Sequence, residues 1–146
     1  SFNALPGVKI ELETIVRKKD TQVGIINGEI LLNNDFKEAD ALSLWREGKF
    51  PVIHIASHYS FNEDPEKAFL LVGDGRLTFA ELQNKDGLFN KIDVLTLSAC
   101  DTGVTANGKE AEGFAYLAQD LGAKSVIASL WQVSDAGTPE LMIRFY

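Results

Sequence analysis

The chain has 146 residues, 45% hydrophobic and 24% charged, the profile of one soluble globular domain able to bury roughly two-thirds of the surface its unfolded form exposes. A net charge of -7 with scattered Lys and Arg excludes a general nucleic-acid binder, because neutralising phosphates takes clustered cations. The single cysteine excludes an internal disulfide or a CxxC pair, and apolar runs such as Ser125 to Trp131 are too short to span a bilayer.

These properties make a reducing cytoplasm the expected home, with no membrane partner. Ser1 to Gly7 lacks the basic region and apolar core of a signal peptide. Val8, Leu12, Ile15 and Val16 fall at helical spacing, with Glu11 and Glu13 toward the front and Arg17, Lys18 and Lys19 behind. This predicts an amphipathic helix aligned with its dipole. Val23 to Ile26 suits a short strand. Asn34-Asp35 followed by Glu38 are start signals for a second helix reaching about Glu47, ended by Gly48.

Pro51 to Ala56 reads as a strand buried on both faces. Phe69 to Val72, the turn Gly73-Asp74-Gly75 and Arg76 to Thr78 predict a hairpin, after which Thr78 caps a helix through Ala80, Glu81 and Leu82. Asp93 to Ser98 is the next strand and leads straight into Ala99-Cys100-Asp101-Thr102-Gly103. A polar, glycine-rich stretch runs from Gly103 to Gly113. Phe114, Leu117, Ala118 and Leu121 then mark a helix stopped by Gly122. Lys124 to Trp131 is the last strong strand, and Leu141 to Tyr146 reads as a helix cut short by a boundary of the fragment.

Strands alternating with helices imply an α/β domain, with right-handed crossovers, a mainly parallel sheet and helices on both faces. No internal repeat is present. Ligands in such sheets gather at the carboxyl ends of the strands. His58 lies just beyond one predicted strand end and Cys100 just beyond another, so the two could meet. A thiol with pKa near ~8.5 is only slightly ionised at neutral pH, and an imidazole can raise that fraction or take the proton during attack. Taken singly, a cysteine and a histidine are more often a buried thiol and a loop histidine.

The other histidine, His54, sits inside its strand, where four residues span about 13 Å, and no third ligand completes a metal site with His58. It reads as a satisfied core histidine whose face borders the site. Gly108-Lys109 is followed by Glu110, which departs from the ending of a phosphate-binding loop.

Leu5-Pro6-Gly7, His54-Ile-Ala-Ser-His58, Leu97-Ser-Ala-Cys-Asp-Thr102, Glu110-Ala-Glu-Gly113, Gly122-Ala123, Leu130-Trp131, Asp135 and Phe145-Tyr146 occur in the order seen in CHAT domains. Over nearly its whole length the chain resembles this caspase-related module, often found beside tetratricopeptide repeats. The resemblance implies a three-layer α/β/α caspase-haemoglobinase-like fold and membership of the cysteine peptidase clan of caspases and separase. It assigns His58 as the catalytic histidine and Cys100 as the nucleophile. It also implies oxyanion donors from the backbone amides of Cys100 and of the residue after the histidine. Many relatives have glycine there, whereas this chain has Tyr59 and Ser60.

On this reading residues 1–146 are one CHAT-like domain, truncated at its C-terminus and acting as a cysteine endopeptidase on a protein or peptide substrate. The residues call for no metal or organic cofactor. Asp101, Glu110, Glu112 and Asp135 lie in or near the matched loops and are candidates for a pocket that favours a basic residue before the cut. Two other readings stay open: a catalytically silent interaction module, and a different cysteine-dependent acyl transfer. A tetratricopeptide-repeat region in the full-length protein is an expected partner.

Overall fold

A computed structural model describes residues 2, 4–17, 23–60, 62–98, 109–128 and 137–146. Helix α1 (Pro6–Ile15) opens with proline in its first turn, where the missing amide hydrogen has no helical acceptor to lose. Val16 at its end is extended, and the chain continues directly into β1 (Val16–Arg17), which pairs in parallel with β2 (Ile26–Asn27). The helix is therefore shorter than its spacing predicts. Arg17 lies in the strand and donates from its guanidinium to the Gly24 carbonyl, at 2.8 Å from one nitrogen. Glu11 is buried rather than set at the helix front as a dipole charge, so the expected dipole alignment is not what orients α1.

The start signal at Asn34-Asp35 forms a single tight turn (Asn33–Asp35), and α2 (Glu38–Glu47) begins after it. Lys37 at the cap position contributes no side-chain bond. Instead the Asp74 carboxylate accepts from the Glu38 amide at 3.0 Å, so a residue of the distant hairpin does the capping. Gly48 closes α2 at φ 66°, a left-handed conformation that favours glycine.

Four strands follow: β3 (Val52–Ile55), β4 (Tyr59–Ser60), β5 (Phe69–Val72) and β6 (Gly75–Thr78). β5 and β6 form the expected hairpin, and β4 adds to β5 as a third antiparallel strand. Helix α3 (Phe79–Gln83) starts on a full capping box. The Glu81 amide donates to Thr78 Oγ1 at 3.2 Å, and the Thr78 amide donates to the Glu81 carboxylate at 2.7 Å. β7 (Val94–Leu97), α4 (Lys109–Asp120), β8 (Ser125–Ala128) and α5 (Thr138–Phe145) complete the described elements. Gly122, at φ 105°, turns the chain from α4 toward β8 beside Asn90, where a Cβ would collide with the asparagine side chain.

The central sheet has the order β3-β7-β8 and is parallel throughout. Its side chains alternate between two faces. Ile55, Leu95 and Leu97 join Phe114, Leu117, Ala118 and Leu121 of α4 in one buried cluster, which Trp45 of α2 and Phe89 extend. Each of the buried Leu, Ile and Phe side chains contributes roughly 1.5–3 kcal/mol. His54 and Thr96 project from the opposite face, toward α1 and the end of α5, which pack on each other. Helices thus cover both faces of a parallel sheet, as the alternating pattern requires. Among the described residues no helix is long and apolar enough to cross a membrane.

Candidate active site

β3 ends at Ile55, and Ala56-Ser57-His58 leads from it into β4. Two hydrogen bonds fasten this lead to β5. The Ser57 hydroxyl donates to the Leu71 carbonyl at 2.7 Å, and the Leu71 amide donates to the His58 carbonyl at 2.8 Å. Tyr59 stands opposite Leu70 in the next pair of the same antiparallel ladder. Bonded and non-bonded pairs alternate in such ladders, so the Tyr59 amide is directed away from β5.

His58 is only 6% exposed. Phe2 stacks on it with centroids 5.4 Å apart and presents its own ring to the edge of Phe69 at 5.9 Å. The Arg76 guanidinium lies over Phe69, at 4.4 Å from the ring centre, and closes this stack. Beside it opens a cleft of about 510 Å³ lined by Phe2, Pro6, Leu32, Phe36, Ser57 and His58, with Lys9, Asn33 and Asn34 as further polar groups. The described residues that line it include no carboxylate.

β7, the strand that precedes Cys100 in the sequence, ends at the same end of the sheet. Ile55 is the register partner of Leu97 in the parallel β3–β7 ladder, and the Ser98 amide extends the ladder by donating to the Ile55 carbonyl at 2.8 Å. His58 is three residues beyond Ile55, and Cys100 is three residues beyond Leu97. Adjacent strands lie about 4.8 Å apart, so two leads of this length start within reach of each other. Cys100, Asp101 and Asp135 themselves lie outside the described residues, as does the stretch 103–108. Glu110 belongs to the first turn of α4, and Glu112 is exposed on the same helix.

Comparison with known families finds the CHAT domain, matched over residues 1–146. The chain belongs to the CHAT domain family. This family is related to the caspase-like peptidases, and the parallel sheet with helices on both faces is consistent with a caspase-like α/β fold. No curated protein matches the chain.

The CHAT domain also holds a buried polar group on the face of the sheet that carries His54 and Thr96. His54 Nε2 lies 2.7 Å from a Glu11 carboxylate oxygen, and its Nδ1 lies 3.3 Å from the Tyr146 hydroxyl. That hydroxyl is in turn 2.8 Å from Thr96 Oγ1. Burial pushes the Tyr146 phenol above its ordinary pKa; the Thr96 bond opposes this and the Glu11 charge adds to it. With Glu11 ionised, Nε2 carries a hydrogen. A neutral His54 then accepts at Nδ1 from the phenol, which accepts from Thr96. An apolar cavity of about 150 Å³ adjoins this group, bounded by Leu12, Ile15, Trp45, Ile53, His54 and Tyr146.

His54 is thus the satisfied core histidine its strand position predicts. Glu11 as its partner was detectable in one signal: it falls four residues before Ile15, on the apolar side of α1. Tyr146 stands out in the sequence only as part of the Phe145-Tyr146 motif, and its meeting with His54 and Thr96 depends on where the end of α5 packs.

Proposed function

We propose that this CHAT domain is a cysteine endopeptidase that hydrolyses a protein substrate through Cys100 and His58. His58 takes the thiol proton as Cys100 Sγ attacks the scissile carbonyl. The resulting oxyanion is held by the backbone amides of Cys100 and Tyr59. Collapse of this intermediate breaks the C–N bond, and His58 gives its proton to the leaving amine. Water then attacks the thioester with His58 as base, releasing the acid and restoring the thiol.

The observation that carries this reading is the Ile55–Leu97 register, which starts the His58 and Cys100 leads from adjacent strands at one end of the sheet. The direction of the Tyr59 amide supports its place as the second oxyanion donor. The cleft beside His58 offers room for an extended peptide, with apolar walls for side chains and Asn33, Asn34 and Lys9 as polar contacts. Asp101, Glu110 and Asp135 are proposed to turn a pocket toward a basic residue before the cut. In the full-length protein a tetratricopeptide-repeat region would recruit the substrate, in the cytoplasm.

Profiling a peptide library with the full-length protein tests the reading. Cleavage by the wild type that disappears in Cys100→Ala and in His58→Ala supports it. Equal or faster cleavage after acidic or apolar residues removes the basic preference while leaving the dyad intact. Cleavage that survives Cys100→Ala overturns the assignment.

A further inference from the structure

His54 and Thr96 are register partners across β3 and β7, and each stands four residues before a member of the proposed dyad, His58 and Cys100. Their side chains share one face of the sheet, and a single oxygen, the Tyr146 hydroxyl, lies within hydrogen-bond distance of both, at 3.3 Å from His54 Nδ1 and 2.8 Å from Thr96 Oγ1. Resting on the reading of Cys100 and His58 as the reacting pair, we propose that Tyr146 is a positioning residue: its phenol ties together the two strands that lead to the dyad.

The geometry favours a clamp over a mere space-filler. Backbone bonds already pair β3 with β7 as far as the Ser98 amide among the described residues, and the His58 lead runs on from β3 into β4. A cross-link one turn of the pleat before that amide limits the twist and shear that remain. Glu11 fixes the far nitrogen of the His54 ring, so the imidazole cannot rotate to release the phenol without breaking a bond to a buried carboxylate. Thr96 is itself fully buried, and its hydroxyl has the phenol as its described partner. The clamp also passes the position of α5, which Tyr146 directly follows, and of α1, which packs on α5, to the site. Reacting groups are sensitive to such control, since a displacement of about 1 Å can cost roughly a hundredfold in rate.

The test reads the dyad through its thiol. Iodoacetamide addition to Cys100 of the full-length protein is followed by mass across a pH series, beside kcat and KM for peptide cleavage. In the wild type, pairing with His58 keeps addition rapid below the ordinary thiol range. Tyr146→Phe keeps the ring and removes only the hydroxyl. It is expected to slow addition at neutral pH roughly tenfold, to move the profile toward that of an ordinary thiol, and to lower kcat with KM little changed.

Thr96→Val, which cuts the other side of the clamp, should match it, and the double variant should lose no more than either alone. Thr78→Ala, which weakens the remote capping box of α3, controls for general loss of stability and should leave the profile in place. The inference is overturned if Tyr146→Phe and Thr96→Val keep the wild-type profile while His58→Ala loses it. A wild-type profile in His58→Ala overturns the dyad itself, and the clamp with it.

Discussion

The Glu11 carboxylate meets Nε2 of His54 at 2.7 Å, and neither side chain is more than 6% exposed. Removing the carboxylate leaves the buried Nε2 hydrogen of His54 without its acceptor, at a cost of about 1–3 kcal/mol. Glu11→Ala is therefore expected to destabilise the fold by that amount in urea denaturation. Glu11→Gln, whose amide oxygen still accepts from Nε2, should lose much less. A joint replacement by two leucines should recover part of the deficit. A Glu11→Ala effect within ~0.5 kcal/mol, the range of surface substitutions, would show that the pair does not organise α1 on the sheet.

Tyr146 sets an alkaline limit. Its phenol is held above its ordinary range, chiefly by burial, so the fold favours the neutral form. The stability this supports is fully present below the ordinary phenol range and is lost as pH rises through the raised value. At neutral pH Tyr146→Phe should be less stable by about 1 kcal/mol, the net worth of a hydrogen bond. As pH climbs the gap should narrow, because only the wild type must ionise a buried phenol. Urea midpoints of the two proteins at neutral and alkaline pH measure it, and parallel decline would contradict the assignment.

The α3 cap behaves in the opposite sense. Hydrogen bonds from the Thr78 hydroxyl and amide hold the Glu81 carboxyl below its ordinary range. The contribution of that carboxylate is present above the ordinary glutamate range and is lost as pH falls through the lowered value. Thr78→Ala should cost about 1 kcal/mol at neutral pH, and less in acid, where the reciprocal bond is already gone. Thermal denaturation at the two pH values checks this. A cost that does not shrink in acid would separate Glu81 from the cap.

Phe2 stacks on His58, the proposed catalytic histidine. Phe2→Ala should open the His58 ring to diethylpyrocarbonate and speed its modification several-fold, and Phe2→Trp should keep it covered. Each aromatic pair in this stack is worth about 0.5–1.5 kcal/mol, which corresponds to roughly two- to twelve-fold in an opening equilibrium. An unchanged rate in Phe2→Ala would mean that the stack does not limit access.

Much of this architecture is legible in the sequence because local chemistry and tertiary packing agree. The alternating apolar runs give β3, β5, β7 and β8, the Gly73-Asp74-Gly75 turn gives the hairpin, and Thr78 with Glu81 gives the cap of α3. Departures occur where a long-range partner outweighs the local signal. Asp74 caps α2 in place of the asparagine-aspartate start signal, and the drift of Val16 and Arg17 into β1 shortens α1.

At the site, the strand-end placement of His58 was readable from periodicity, and the shared end of the sheet follows from the parallel register. The Tyr146 bridge was not, because it joins residues of three separate elements. Cys100 lies outside the described residues, and its proposed pairing with His58 is supported by the β3–β7 register and by membership of the CHAT family.

Intact-mass analysis of the full-length protein, mixed with a peptide ester and quenched in acid, tests the central claim most directly. The account predicts a transient acyl adduct mapped to Cys100 in the wild type, absent in Cys100→Ala, and formed at least about a hundredfold more slowly in His58→Ala. Peptide hydrolysis that proceeds without any adduct, or an adduct that forms equally fast without His58, would contradict it.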